Sequence, residues 1–125
     1  MQPRFTGIPF FVYPVRDMAR ARAFYSQVLG LKEVGSWQDV WVEFAVGPVD
    51  GPVLAVSTGI DDSQPGAKAG AVALETDDFP GMVAHLHNHG VKFILEPADT
   101  GVCHFARFED PDGNHLVLHA KHAKA

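Results

Sequence analysis

The chain has 125 residues, of which 46% are hydrophobic and 20% are charged, and its formal net charge is −5. This length and composition predict one globular domain and argue against a disordered or fibrous chain. The net negative charge, without any run of Lys or Arg, argues against nucleic acid as a partner.

Targeting and redox features are sparse. No apolar stretch is long enough to span a bilayer, and the opening MQPRFTG does not have the charged and apolar regions of a signal peptide. We therefore expect no membrane partner and a cytoplasmic location. Cys103 is the single cysteine, so it can form neither an internal disulfide nor a multi-thiolate zinc site. We expect it to be a small buried residue.

The first half predicts a strand, a helix and three more strands. Residues 8–15 (IPFFVYPV) are aromatic and β-branched, which is typical of a strand. Asp17 is a good N-cap, residues 18–29 carry apolar side chains at helical spacing, and Gly30 ends the helix. Three further strands follow, in LKEVGSW, DVWVEFAV and PVLAVST.

The second half repeats this order after a polar link. AVALET predicts a strand, Asp78 a helix cap, and FPGMVAHLHNHG a helix that ends at Gly90. VKFILEP, VCHFARFE and NHLVLHA predict three more strands, with a tight turn at DPDG between the last two. The sequence thus predicts two βαβββ modules, at about 8–58 and about 70–119, joined by a linker at about 59–69 within one domain of residues 1–125.

Two stretches carry a resemblance to a known family. YPVRDMARARAFYSQVLGL in the first half and FEDPDGNHLVL in the second resemble the glyoxalase/bleomycin-resistance/dioxygenase superfamily, also called the vicinal oxygen chelate fold. The resemblance implies an α+β fold in which the two modules form a cupped mixed sheet with the helices outside, and it implies a homodimer. Metal-dependent members of that family take His or Glu ligands from the first and the last strand of each module.

The four ligand positions implied by the resemblance hold no metal-binding side chain here. They fall on Phe10 and Ala55 in the first module and on Ala71 and Val117 in the second. Carbon side chains cannot bind zinc or iron. We therefore expect no metal and no other cofactor at this place, and a pocket that remains without its ion.

Strand alternation adds polar and aromatic residues to the same face. In the first module this set includes Trp41 and Glu43, and in the second it includes Glu75, Phe105, Arg107 and His119. A buried carboxylate needs a partner, so Arg107 is a candidate partner for Glu43 or Glu75. Rim or interface ion pairs would explain these charges equally well.

The remaining histidines and acids have plainer explanations. His85 and His89 are four residues apart on a helix and could share an ion, but we expect them on its exposed side. We expect His115 to be exposed and the end from His119 onward, with His122, to be a loose tail. The acids of DPDG serve the turn, since a calcium loop would need further ligands and a closing Glu.

The sequence thus predicts a protein that binds or sequesters a small organic molecule in the cup. Phe10, Trp41, Ala55, Ala71, Phe105 and Val117 would line it. The alternative is a lyase, isomerase or dioxygenase that uses displaced ligands or acid–base residues at Glu43, Glu75 and His119. That alternative predicts metal-dependent activity, or two of these side chains within hydrogen-bonding reach of each other.

Overall fold

The computed structural model describes residues 3–4, 6, 8–59 and 71–122, so most of the predicted linker, residues 60–69, lies outside the described residues. The first module contains β1 (Phe10–Pro14), α1 (Met18–Ala23) with a π-helical continuation (Phe24–Val28), β2 (Lys32–Trp37), β3 (Trp41–Ala45) and β4 (Val53–Ser57). The second contains β5 (Val72–Glu75), α2 (Phe79–Asn88), β6 (Phe93–Asp99), β7 (Cys103–Glu109) and β8 (His115–Lys121). The predicted βαβββ order is confirmed in both modules.

Each module folds into one four-stranded mixed sheet. The strand order is β1-β4-β3-β2 in the first sheet and β5-β8-β7-β6 in the second. In both sheets the first strand of the module is parallel to the last one, and the other neighbours are antiparallel. Both modules therefore share one topology, as an internal repeat requires.

Both helices begin at the predicted aspartates. The Asp17 carboxylate accepts a hydrogen bond from the Arg20 N–H at 3.1 Å, and Asp78 accepts one from the Gly81 N–H at 3.0 Å. These contacts satisfy backbone donors that the first helical turn leaves unpaired. The π-helical end of the first helix was not predicted; there the Leu29 N–H bonds the Phe24 carbonyl, five residues back, at 3.0 Å.

The two helices cover one face of each sheet, and a single apolar core joins the two modules. Tyr13, Phe44 and Leu54 contribute to this core from the first sheet, and Phe108 and Leu116 contribute from the second. We call the other side of each sheet its open face. Strand alternation places Phe10, Trp41, Glu43 and Ala55 on the open face of the first sheet, and Glu75, Phe105, Arg107, Val117 and His119 on that of the second.

The turn between β7 and β8 is buried and built around one carboxylate. Asp110 is only 4% exposed, and it accepts hydrogen bonds from the N–H groups of Asp112 and Asn114 at 2.9 and 2.8 Å. The Asn114 amide and the Tyr25 hydroxyl each donate to its second oxygen at 2.9 Å. The expectation that these acids serve the turn agrees with this network, which also reaches the helical segment of the other module.

Further contacts from the same turn bind the two modules together. Asn114 donates its amide to the Pro14 carbonyl at 2.8 Å, and the Arg20 guanidinium donates to the buried Asp112 carboxylate at 2.8 Å. The Tyr13 hydroxyl donates to the His115 carbonyl at 2.6 Å and accepts from the Val72 N–H at 2.8 Å. Burial raises the pKa of Tyr13 to about 12, so it remains a neutral donor.

We predict that Asp110→Asn lowers the free energy of unfolding by about 2 kcal/mol at neutral pH, because an amide group then faces donors that a charged acceptor had satisfied. Urea denaturation measures this loss. The exposed Asp50→Asn is the matched control and should change the free energy by less than about 0.5 kcal/mol. Equal stability of the two variants would contradict the role given to Asp110.

The loss of unfolding free energy in Asp110→Asn should also depend on pH. Burial raises the pKa of Asp110 above its ordinary value of 3.8, although its hydrogen bonds act in the opposite direction. A raised folded-state pKa contributes stability that is fully present below the unfolded pKa and is lost as pH rises through the folded pKa. The difference in unfolding free energy between the wild type and Asp110→Asn should therefore be larger near pH 4 than near pH 7, in urea titrations at the two values.

Candidate functional site

The open face of the first sheet carries an aromatic pair beside a carboxylate. The rings of Phe10 and Trp41 meet edge to face, with centroids 5.6 Å apart and planes at 84°. The indole N–H of Trp41 donates to Glu43 Oε2 at 3.0 Å. Ala55 pairs with Val12 on one side and Glu43 on the other, and it is fully buried. The structure thus brings four of the predicted site residues into one patch.

An apolar cavity of about 330 Å³ lies where β1 and β4 approach β5 of the second module. Phe10 is the one residue of the aromatic pair that lines it, and Ala73 lines it from the other module. Sequence reasoning missed the other lining residues, because they meet only through the packing of one module on the other. These are Ile8, Phe11, Val46, Pro52, Val53, Leu54, Val72 and Leu74.

The open face of the second sheet carries a hydrogen-bonded acid and imidazole. Glu75 and His119 are cross-strand neighbours, and Glu75 Oε1 lies 2.5 Å from His119 Nδ1. The Lys121 N–H donates to the other carboxylate oxygen at 3.0 Å. The His119 hydrogen bond, followed by that from Lys121, lowers the pKa of the Glu75 carboxyl. Phe105 is the neighbour of His119 on β7, on the same face.

Arg107 lies apart from both carboxylates. It is exposed and pairs with Val117 across the β7–β8 ladder. Among the residues that the structure describes, it forms no ion pair with Glu43 or Glu75, which bond to Trp41 and His119 instead. The hypothesised orienting pair is therefore not formed in this chain.

The four residues that the family resemblance implies at the ligand positions, Phe10, Ala55, Ala71 and Val117, have only carbon side chains. Ala55 lies beside Val12 and Val117 lies beside Ala73 in the two parallel strand pairs, while Ala71 directly precedes β5. Shifting the assignment by one residue gives Leu54 or Val56 in β4 and Leu116 or Leu118 in β8, which are apolar but lie on the helix-covered face. The side chains at these four positions offer no lone pair to a metal ion.

Three histidine expectations were wrong, each because of tertiary packing. His85 is half-buried, and its Nε2 lies 2.8 Å from the Val28 carbonyl, which the π-helical end of the first helix leaves unpaired. The His115 side chain is only 13% exposed. His122 is held in place by its N–H bond to the Val102 carbonyl at 3.1 Å, so the expected tail does not begin at His119. Residues 123–125 lie outside the described part of the chain.

We predict that His119→Ala raises the pKa of Glu75 towards that of an ordinary glutamate. It should stay below that value, because the Lys121 N–H still donates to the carboxylate. Carbon-13 NMR titration of the side-chain carboxyl measures the change, and His89→Ala on the distant helix is the control. The stabilising effect of a lowered carboxyl pKa is present above the unfolded pKa and is lost as pH falls through the folded pKa. An unchanged Glu75 titration in His119→Ala would show that the two side chains do not interact in solution.

Within the described residues, neither helix has the length and apolar character needed to cross a membrane. No curated protein matches the chain. Among solved structures, a member of the glyoxalase/bleomycin resistance protein/dioxygenase superfamily from Sphaerobacter thermophilus DSM 20745 is 25% identical, covers 94% of this chain and 98% of its own, and has a TM-score of 0.80.

A second solved structure, TnmS3 from Streptomyces sp. CB03234, is described as an antibiotic binding protein. It is 27% identical, and the alignment covers 97% of this chain and 100% of TnmS3 with a TM-score of 0.83. The family model of the Glyoxalase/Bleomycin resistance protein/Dioxygenase superfamily matches residues 7–118. With the shared topology of its two modules, the chain therefore belongs to the glyoxalase/bleomycin resistance protein/dioxygenase superfamily.

Proposed function

We propose that this protein binds and sequesters a small organic molecule with an aromatic, largely apolar body on the open face of the first sheet. The bound molecule extends into the adjoining apolar cavity. No metal ion takes part at the positions that metal-dependent relatives use, because this chain has Phe10, Ala55, Ala71 and Val117 there.

The aromatic pair with its fixed carboxylate is the observation that carries this proposal. Phe10 remains 45% exposed although it contacts Trp41, so the pair keeps surface on which a flat ligand can stack. The indole of Trp41 occupies one oxygen of Glu43 and fixes the orientation of the carboxylate. Its other oxygen can accept a hydrogen bond from a hydroxyl or amine of the ligand, which adds orientation to apolar contact.

Cavity size and similarity to a known binder support the same function. A volume of about 330 Å³ is within the usual range for small-molecule sites. The similar structure TnmS3 is described as an antibiotic binding protein. The ligand class that best fits both facts is an aromatic antibiotic or a compound of similar shape.

We predict that Trp41→Leu weakens binding at least about tenfold, since loss of a stacking surface and of the Glu43 hydrogen bond together costs more than about 1.4 kcal/mol. Isothermal titration calorimetry with daunorubicin, tetracycline and bleomycin identifies a ligand and measures this change. The exposed loop variant Val49→Ala is the control and should bind as the wild type does. Absence of binding by the wild type, or equal affinity of Trp41→Leu, would contradict the proposal.

We further propose that two copies of the chain, in the expected cytoplasmic location, cover each other's open faces. Phe10, Trp37 and Leu95 are 45%, 57% and 43% exposed on these faces, which is a large apolar surface for a single chain. A second copy would shield them and close the site around a ligand.

We predict that the wild type sediments as a dimer at micromolar concentration and that Leu95→Glu shifts it towards monomer, because a charge would be buried in the interface. Analytical ultracentrifugation measures the equilibrium. Val49→Glu adds the same charge in an exposed loop and should remain dimeric. A monomeric wild type would contradict the proposed dimer.

The Glu75–His119 pair favours proton-transfer catalysis as a second candidate function. A carboxylate that orients an imidazole is a common arrangement for a general base, and the two side chains are within the reach that the enzyme alternative requires. Mass spectrometry of a bound compound after incubation separates the two functions. Conversion by the wild type, lost in His119→Gln without a change in affinity, would favour the enzyme.

A further inference from the structure

A separate group of metal-binding side chains lies at one end of the second sheet. Asp99 ends β6, His104 is the second residue of β7, and His122 directly follows β8. Their ligand atoms all lie within 4.8 Å of one another. This group shares no residue with the aromatic patch or the Glu75–His119 pair.

Strand register explains why these three residues meet. Asp99 pairs with His104, and His104 pairs with Ala120, two residues before His122. Side chains alternate along a strand, so all three point to the face that carries Ala106 and Phe108. That face is covered by α2 and is opposite to the open face that carries Phe105 and His119.

An imidazole and a carboxylate are in direct contact within the group. His122 Nε2 lies 2.9 Å from Asp99 Oδ1, close enough for an ion pair when the imidazole is protonated, although the direction of the contact is poor for a hydrogen bond. The rings of His104 and His122 are 4.7 Å apart at an angle of 45°. A buried polar atom without a well-directed hydrogen bond costs free energy unless a ligand satisfies it.

We propose that Asp99, His104 and His122 bind a divalent transition-metal ion, with zinc as the best match. Two imidazoles and one carboxylate suit zinc and its neighbours, and they do not suit magnesium or calcium, which prefer oxygen ligands. Two ligand atoms on one tetrahedral zinc ion lie about 3.3–3.4 Å apart when the metal bonds are about 2.0–2.1 Å long. The Asp99–His122 separation of 2.9 Å is shorter than this and the ligand atoms span up to 4.8 Å, so side-chain rotations would have to bring all three to the spacing that zinc requires.

Contacts with neighbouring groups already restrict the orientation of Asp99 and His104. The Gly101 N–H donates to Asp99 Oδ1 at 2.8 Å, and the ring of Phe79 at the start of α2 lies 5.5 Å from that of His104. Such supporting contacts are typical of metal ligands in proteins. Three protein ligands leave a fourth position for water, and the exposed side of Asp99 gives that water access.

The bound ion would join the β6–β7 hairpin to the end of the last strand. Without it, the end of the last strand is held by its ladder with β7, which reaches the Cys103–Lys121 pair, and by the bond from the His122 N–H to the Val102 carbonyl. Metal binding to the folded state alone raises stability by mass action. The site would therefore stabilise the C-terminal end of β8 without contributing to the ligand patch.

Isothermal titration calorimetry of untagged, chelator-treated protein with zinc chloride tests this proposal. We expect about one ion per chain, a rise in melting temperature on zinc addition, and an affinity loss of at least about tenfold in Asp99→Asn, His104→Gln and His122→Gln. In the wild type, zinc should shift the imidazole NMR signals of His104 and His122, a readout that does not depend on how well any variant folds.

One histidine pair and one histidine–glutamate pair elsewhere in the chain serve as matched controls. His85 and His89 have ring centroids 4.4 Å apart on α2, and His119 lies beside Glu75. His89→Gln and His119→Gln should keep the full zinc affinity. The proposal is overturned if zinc does not bind at micromolar concentration, or if only these control variants weaken binding.

Discussion

The buried carboxylate of Asp110 is the interaction on which the rest of the structure depends. It organises the turn between the last two strands by accepting from the backbone of that turn, and it accepts from the Tyr25 hydroxyl of the other module. Burial of a charge is costly unless donors surround it, and here four hydrogen bonds do so. One group thus fixes both the register of β7 and β8 and the position of one module on the other.

Because the hydrogen bonds of Asp110 fix how the two modules pack, each surface of the molecule carries a different set of side chains. The shared core covers the side of each sheet that faces the helices, so the open faces are the surfaces that remain for a ligand. The first sheet presents an aromatic pair with a fixed carboxylate, and the second presents the Glu75–His119 pair. The Asp99–His104–His122 group lies on the opposite side of the second sheet from the Glu75–His119 pair.

Local patterns predicted the parts of this fold that local physics decides. The capping aspartates start both helices because a short side-chain acceptor satisfies the first free N–H groups within a few residues. Strand alternation placed Glu43 and Ala55 on one face of the first sheet, and Glu75 and His119 on one face of the second. Local patterns did not predict the positions of two histidines. His85 contacts a carbonyl of the other helical segment, and His122, after β8, contacts Asp99 at the end of β6, which is distant in the sequence.

The sequence by itself determined the two βαβββ modules and the family resemblance, since each depends on residue types at short spacing. Tertiary structure alone decided which carboxylate meets which partner. It paired Glu75 with His119 and left Arg107 exposed, and it formed the apolar cavity between β1 and β5. The cavity depends on how one module packs on the other, and the Glu75–His119 pair depends on the register of β5 and β8 within the second sheet. Alternation within a strand fixes only the face on which a side chain lies, not the distance to its partner.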